Sequence, residues 1–147
     1  MASHDRVIGD VARIDAARNR PIDTVADLDA VVEEPLRPVV ADLLRKGIRC
    51  FETSANLQRG MSAWLCIYAD ELSDENEEVL FDVQYEGGNL EEGAIVDYKE
   101  LMEEGGRYFW SIQTDISEDE PVRLVAERIR QITDRLVPQG PSLLPQN

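Results

Sequence analysis

The sequence predicts an α+β fold: a mainly antiparallel sheet of four to five strands, with N-terminal helices and a C-terminal amphipathic helix packed on it. Three observations carry this expectation. Apolar residues recur at helical spacing over residues 36–46 and 122–136. Aromatic and β-branched residues concentrate between residues 48 and 116, and the order along the chain is helices, then strands, then a helix. The 147 residues, 43% of them hydrophobic, suffice for one domain with a real core. Residues 1–137 are expected to form that domain. Residues 138–147, with three prolines and a glycine, read as a flexible C-terminal tail.

Each element has a local justification. Val7, Val11 and Ile14 follow helical spacing after Ser3, a candidate N-cap, and Pro21 ends that run. Thr24 and Asp27 start a second short apolar face through Val25, Leu28 and Val31/Val32. Pro35 suits a first helical turn, where its missing N–H costs nothing. Leu36, Val39, Val40, Leu43 and Leu44 then form a stripe, closed by Arg45 and Lys46 in the last turn and by Gly47 as the residue after the cap. Residues 48–54 and 62–69 read as two strands joined by the polar loop 55–61. Pairing them about Gln58 sets Cys50 opposite Cys66 and Glu52 opposite Trp64, with Phe51, Leu65 and Ile67 on the other face. Apolar groups on both faces place this hairpin centrally in its sheet.

Residues 73–86 admit two readings. Val79, Phe81, Val83 and Tyr85 alternate as in a strand preceded by an acidic turn, which is the favoured reading. Acids following Ser73 would equally suit a helix N-terminus. Gly87, Gly88 and Asn89 form a turn. Residues 94–102 and 107–116 flank the turn Glu103-Glu104-Gly105-Gly106 as a hairpin, with a helix over 95–104 as the alternative. Ser117 and Glu120 make a capping box ahead of Pro121. Val122, Val125, Ile129, Ile132 and Leu136 follow as a single stripe, with Arg123–Glu127 and Arg130–Asp134 as i, i+4 ion pairs. Packing of this stripe on the chain's own sheet is favoured over a homodimer seam, which stays open.

Charge is the most informative feature. The net charge is −15, yet residues 1–69 carry −1 and residues 121–147 carry +2. Residues 70–120 hold eighteen acids against Lys99 and Arg107, a net of −16. Salt adaptation, suggested also by two lysines against thirteen arginines, predicts acids over every surface instead. A confined acidic segment repels nucleic acid and attracts a basic protein. The acids expected to form this face are Asp74, Glu75, Glu77, Glu78, Glu91, Glu92, Glu103 and Glu104.

Chemistry is sparsely represented. The single histidine, His4, excludes an internal Ser–His or Cys–His pair and any multi-histidine zinc site. The acidic runs lack the spacing of a calcium loop, so no metal site is expected, and no phosphate-binding glycine loop points to a cofactor. Two cysteines outside a C-x-x-C unit read as buried reduced thiols. The most site-like segment for a ligand is the loop that carries Glu52, Thr53, Ser54, Asn56 and Arg59. No secretory signal or membrane-spanning apolar run is visible, so a cytoplasmic location is the expectation.

These readings favour a non-enzymatic interaction protein. Its acidic face would bind a basic protein, as an inhibitor, an immunity-type protein or a regulator would, in one form by mimicking nucleic-acid charge. A small enzyme or ligand-binding domain using the Glu52–Arg59 loop is the alternative. A salt-adapted domain with no functional acidic face is the third.

Overall fold

In a computed structural model, the residues described are 26, 28, 32–54, 62–86, 94–101, 105–115 and 123–144. Among them run α1 (Arg37–Arg45), β1 (Glu52–Ser54), β2 (Ser62–Tyr68), α2 (Asp74–Tyr85), β3 (Ala94–Leu101), β4 (Arg107–Asp115) and α3 (Arg123–Thr133). Short 3₁₀ turns at Glu34–Leu36 and Ala69–Glu71 precede α1 and α2. The four strands form one sheet in the order β1-β2-β4-β3, antiparallel at every step. The α+β class and the C-terminal helix packed on an antiparallel sheet match the sequence expectation. The helix proposed over residues 3–18, the turn at 87–89 and the capping box at 117–120 lie outside the described residues.

Strand alternation sorts the sheet into two faces. Ala63, Leu65 and Ile67 of β2, Val96 of β3 and Trp110 and Ile112 of β4 point to the helices and are buried. They share one core with Val39, Val40, Leu43 and Leu44 of α1 and with Val125, Ile129 and Ile132 of α3. Both predicted stripes therefore face inward. The opposite face carries Trp64, Cys66 and Tyr68 of β2, with Phe109, Ser111 and Gln113 of β4 beside them. Phe51 stacks on Tyr68 at 3.9 Å and meets Phe109 edge-on, so it belongs to this second face and not with Leu65 and Ile67.

The first hairpin differs from expectation in register. Glu52 lies opposite Cys66, and Ser54 opposite Trp64. The pairing closes around residue 59, two positions from the predicted register, which preserves the faces but leaves Cys50 outside the ladder. No direct cross-strand cysteine pair forms. Both thiols are free and buried. β1 is also an edge strand, not a central one; β2 is the interior member of the pair.

Residues 73–86 are a helix, which overturns the strand reading. Ser73 caps it by accepting the Asn76 N–H at 3.2 Å, and Asp74, Glu75 and Glu77 occupy its first turn, where carboxylates favour the helix dipole. The buried residues Asn76, Leu80 and Val83 step by four and three, a helical face whose first member is polar. The alternation of Val79, Phe81, Val83 and Tyr85 has no structural counterpart, since Phe81 and Tyr85 are exposed. Residues 94–101 are a strand, as the favoured hairpin required.

Residues 138–144 are not a free tail. The last carbonyls of a helix lack intrahelical donors, and this segment bonds to the chain where α1 ends. Leu143 N–H donates to Leu44 O at 2.8 Å and Gln139 N–H to Lys46 O at 2.9 Å. Leu144 reaches the core. The Gln139 side chain then donates to Glu71 O at 2.7 Å and Gly47 O at 3.3 Å, and accepts from Ser73 N at 2.8 Å. Asn76, fully buried, donates to Val137 O at 2.9 Å and to Gln139 Oε1 at 3.0 Å, and accepts from Val137 N at 2.8 Å. Prolines favour the extended backbone that this docking uses, and composition alone does not separate it from a mobile end.

Gly47 ends α1 at φ +79°, with Ile48 N bonded to Leu43 O in a Schellman closure. A Cβ there would stand 3.1 Å from Gly140 N. Gly47→Ala is therefore expected to cost about 1–2 kcal/mol for the left-handed backbone alone, with further loss from the displaced C-terminal segment. Amide exchange at Gln139 and Leu143 should quicken in the same variant. Asn76→Ala should cost about 2–4 kcal/mol, because it strands the buried N–H and carbonyl of Val137. Chemical denaturation checks both.

Candidate functional site

The acidic segment divides into acids the fold uses and acids it leaves free. Asp70 and Glu71 belong to the first kind. Arg107 donates to Asp70 from Nε at 3.0 Å and from its terminal nitrogen at 3.1 Å, and to Glu71 at 3.0 Å. Its guanidinium carbon lies 3.3 Å from the centroid of the Tyr68 ring. On α2 the pattern is different. Asp74, Glu75, Glu78, Asp82 and Glu86 are exposed, and among the described residues no cation lies within ion-pair distance of any of them. Glu78, Asp82 and Glu86 repeat every four residues. Like charges at that spacing destabilise a helix by roughly 0.2–0.5 kcal/mol per pair. Glu86 also stands at the C-terminal end, where the dipole favours cations.

Beside these acids is an aromatic patch. α2 sets Phe81 edge-on to Trp110 at 4.8 Å and tilted against Tyr98 at 5.8 Å. Tyr98 stacks on Tyr108 at 5.2 Å, with the rings 3° from parallel. Trp110 is fully buried beneath, whereas Phe81, Tyr98 and Tyr108 stay 47%, 37% and 39% exposed. Among the described residues β3 pairs only with β4, so this corner forms where a sheet edge meets the side of α2.

Two carboxylates border the patch. Glu77, one turn before Phe81, is half-buried; desolvation, and secondarily the neighbouring Asp74 charge, holds its carboxyl above the ordinary range. The Tyr98 phenol is raised by desolvation, then by the Glu77 and Tyr108 charges. Glu100 is exposed and lies directly opposite Tyr108 in the β3–β4 ladder, on the same face.

Of the predicted acidic face, the structure brings Asp74, Glu75, Glu77 and Glu78 together on the first two turns of α2. Glu91, Glu92, Glu103 and Glu104 lie outside the described residues. Asp82, Glu86 and Glu100 join the face unpredicted, as do Phe81, Tyr98 and Tyr108. A helical wheel of residues 74–85 was the available signal, since it puts Phe81 and Tyr85 among the acids. The candidate ligand loop is not assembled in what is described. Glu52 is half-buried opposite Cys66, Thr53 is buried, and Asn56 and Arg59 lie outside the described residues. Burial, and then the Glu52 charge, pushes the Cys66 thiol up to about 12, and burial raises Cys50 as well. Thiols held protonated in this way are poor nucleophiles.

Elsewhere the ion pairs hold elements together. Arg123 pairs with Glu127 at 3.3 Å as expected, but Arg130 turns from Asp134 to Asp42 of α1 at 2.8 Å, which ties α3 to α1. Among the described residues, no group of three or more His, Cys, Asp or Glu is placed to hold a metal ion, and no helix is long and apolar enough to cross a membrane. Comparison with protein families, with curated protein sequences and with solved structures yields no significant match to the chain.

A raised Glu77 pKa means that the folded state binds this proton more tightly than the unfolded chain. The stability contribution of Glu77 is thus best at low pH and falls as pH rises through the carboxylate range. Glu77→Gln is expected to melt higher than the parent chain at about pH 7, with the difference shrinking towards about pH 4. Paired thermal melts at the two pH values decide it; a variant that melts lower at neutral pH would show the carboxylate to be stabilising.

Proposed function

We propose that this protein is a non-enzymatic interaction protein that docks the acidic face of α2 and the adjoining sheet edge on a basic protein. The carrying observation is the charge pattern of α2. Glu78, Asp82 and Glu86 stand at repulsive spacing with no described cation beside them, although the same chain supplies Arg107 to Asp70 and Glu71. Acids retained against the stability of their own helix are accounted for by a partner that neutralises them. An inhibitor, immunity-type or regulatory protein uses charge in this way, and one such mode is to occupy a surface built for nucleic acid. Direct nucleic-acid binding is opposed by the sign of the charge, because affinity for phosphates needs basic contacts. General salt adaptation accounts less well for an α2 without described cations beside acids such as Asp42, Asp70 and Glu71 that are paired.

The test couples binding to stability. In a chain carrying Glu78→Gln, Asp82→Asn and Glu86→Gln, the melting temperature should hold or rise, because repulsion is removed. Association with a lysine-rich peptide should slow by roughly tenfold at low ionic strength, and the parent's on-rate should fall steeply with added salt. Stopped-flow fluorescence and a thermal melt read the two quantities. Unchanged association together with a lower melting temperature would assign these acids to the fold and end the docking hypothesis.

A further inference from the structure

Arg107 shows how this protein accommodates a guanidinium. It lies on the face of Tyr68 with two carboxylates, Asp70 and Glu71, receiving its N–H groups. On the other face of the sheet the same components recur without an arginine. Tyr98 and Tyr108 stack and stay partly exposed, Glu77 stands on α2 one turn before Phe81, whose ring meets Tyr98, and Glu100 stands opposite Tyr108. Among the described residues no cation is paired with Glu77 or Glu100. An exposed aromatic pair bordered by two carboxylates is complementary to a planar cation that can stack and donate along its edge at once. Arginine does both, whereas the compact ammonium of lysine does not.

We propose that the Tyr98–Tyr108 pair, bordered by Glu77 and Glu100, is the anchor for an arginine side chain of the basic partner. The guanidinium stacks on the rings and donates to the two carboxylates. This rests on the docking role proposed above and adds to it a specific anchor residue. The α2 acids draw a basic segment in irrespective of its sequence; the corner selects arginine over lysine. Phe81 and Trp110 hold Tyr98 in place from below and from the side.

The experiment compares a Gly/Ser peptide that carries arginines with its counterpart in which every arginine is lysine, by isothermal titration against the full chain. The parent protein should bind the arginine peptide roughly threefold to tenfold tighter at equal charge. Tyr98→Leu and Tyr108→Leu should each bring the arginine peptide's affinity down to that of the lysine peptide and so abolish the preference, with circular dichroism confirming the fold. Equal affinities in the parent, a comparison that needs no variant, overturn the anchor but leave the docking face standing. A preference that survives both substitutions does the same. Absence of binding by either peptide overturns the docking role and the anchor together. A concentration-dependent dimer of the parent, abolished by Tyr98→Leu in sedimentation, would assign the corner to a second copy of the chain and overturn the proposal.

Discussion

Two side-chain amides, Asn76 and Gln139, meet at 3.0 Å where four stretches of chain converge: the end of α1, the 3₁₀ turn at Ala69–Glu71, the start of α2 and the C-terminal segment. Between them they satisfy backbone groups of Gly47, Glu71, Ser73 and Val137. A buried backbone N–H or carbonyl without a partner costs about 1–3 kcal/mol, so a junction of this kind tolerates little substitution. It also fixes direction. The first turn of α2 is capped by Ser73, while its second residue pair is tied down through Asn76, so the helix leaves the junction at a set angle and lays Phe81 against Trp110. The acidic surface and its aromatic corner depend on that angle.

Given this placement, the fold sorts its charges by distance from the sheet edge. Near the end of β4, Arg107 consumes Asp70 and Glu71; between α1 and α3, Asp42 receives Arg45 and Arg130. Exposed pairs of this sort contribute little individually to stability, commonly under about 1 kcal/mol. Their consequence here is distributional: Arg107 and Arg130 are drawn to seams between elements, and the exposed acids of α2 have no described cation beside them. A helix with acids from its first turn to its C-terminal cap keeps its structure through burial of Leu80 and Val83 and through its cap, since its surface electrostatics oppose it beyond the first turn.

Much of this was legible in the sequence, and the failures have physical causes. The stripes of α1 and α3 were readable because their buried positions are apolar apart from Thr133 at the end of α3, as in Val39, Val40, Leu43 and Leu44. The hairpin of β3 and β4 was readable from its flanking aromatics. α2 was misread because its inward face begins with Asn76, whose burial depends on Gln139 sixty-three residues away. No local pattern carries that information. The docked C-terminal segment was missed for the same reason: its partners are the carbonyls of Leu44 and Lys46 where α1 ends, far away in sequence. The shifted register of β1 and β2 kept Glu52 and Ser54 on the face of Cys66 and Trp64, so alternation could not detect it; only Phe51, ahead of the ladder, left its predicted face. The acidic face was legible as charge and illegible as geometry, because Phe81, assigned to a strand after an acidic turn, was not set beside the acids.

An acidic helix alone governs encounter more than retention. Long-range attraction accelerates approach and is screened within about 8 Å at physiological ionic strength, so a partner held by exposed charge leaves as readily as it arrives. Retention needs surface that water vacates. Phe81, Tyr98 and Tyr108 provide it at the foot of α2, on rings already immobilised against a fully buried tryptophan, so little side-chain freedom remains to be lost when a partner covers them. Partial desolvation of Glu77 beside those rings works in the same direction, because a carboxylate already stripped of some water surrenders less on pairing. On the proposed docking role the two halves of the surface divide the work: α2 would set how often a cationic segment arrives, and the corner where β3 and β4 meet the helix would set how long it stays.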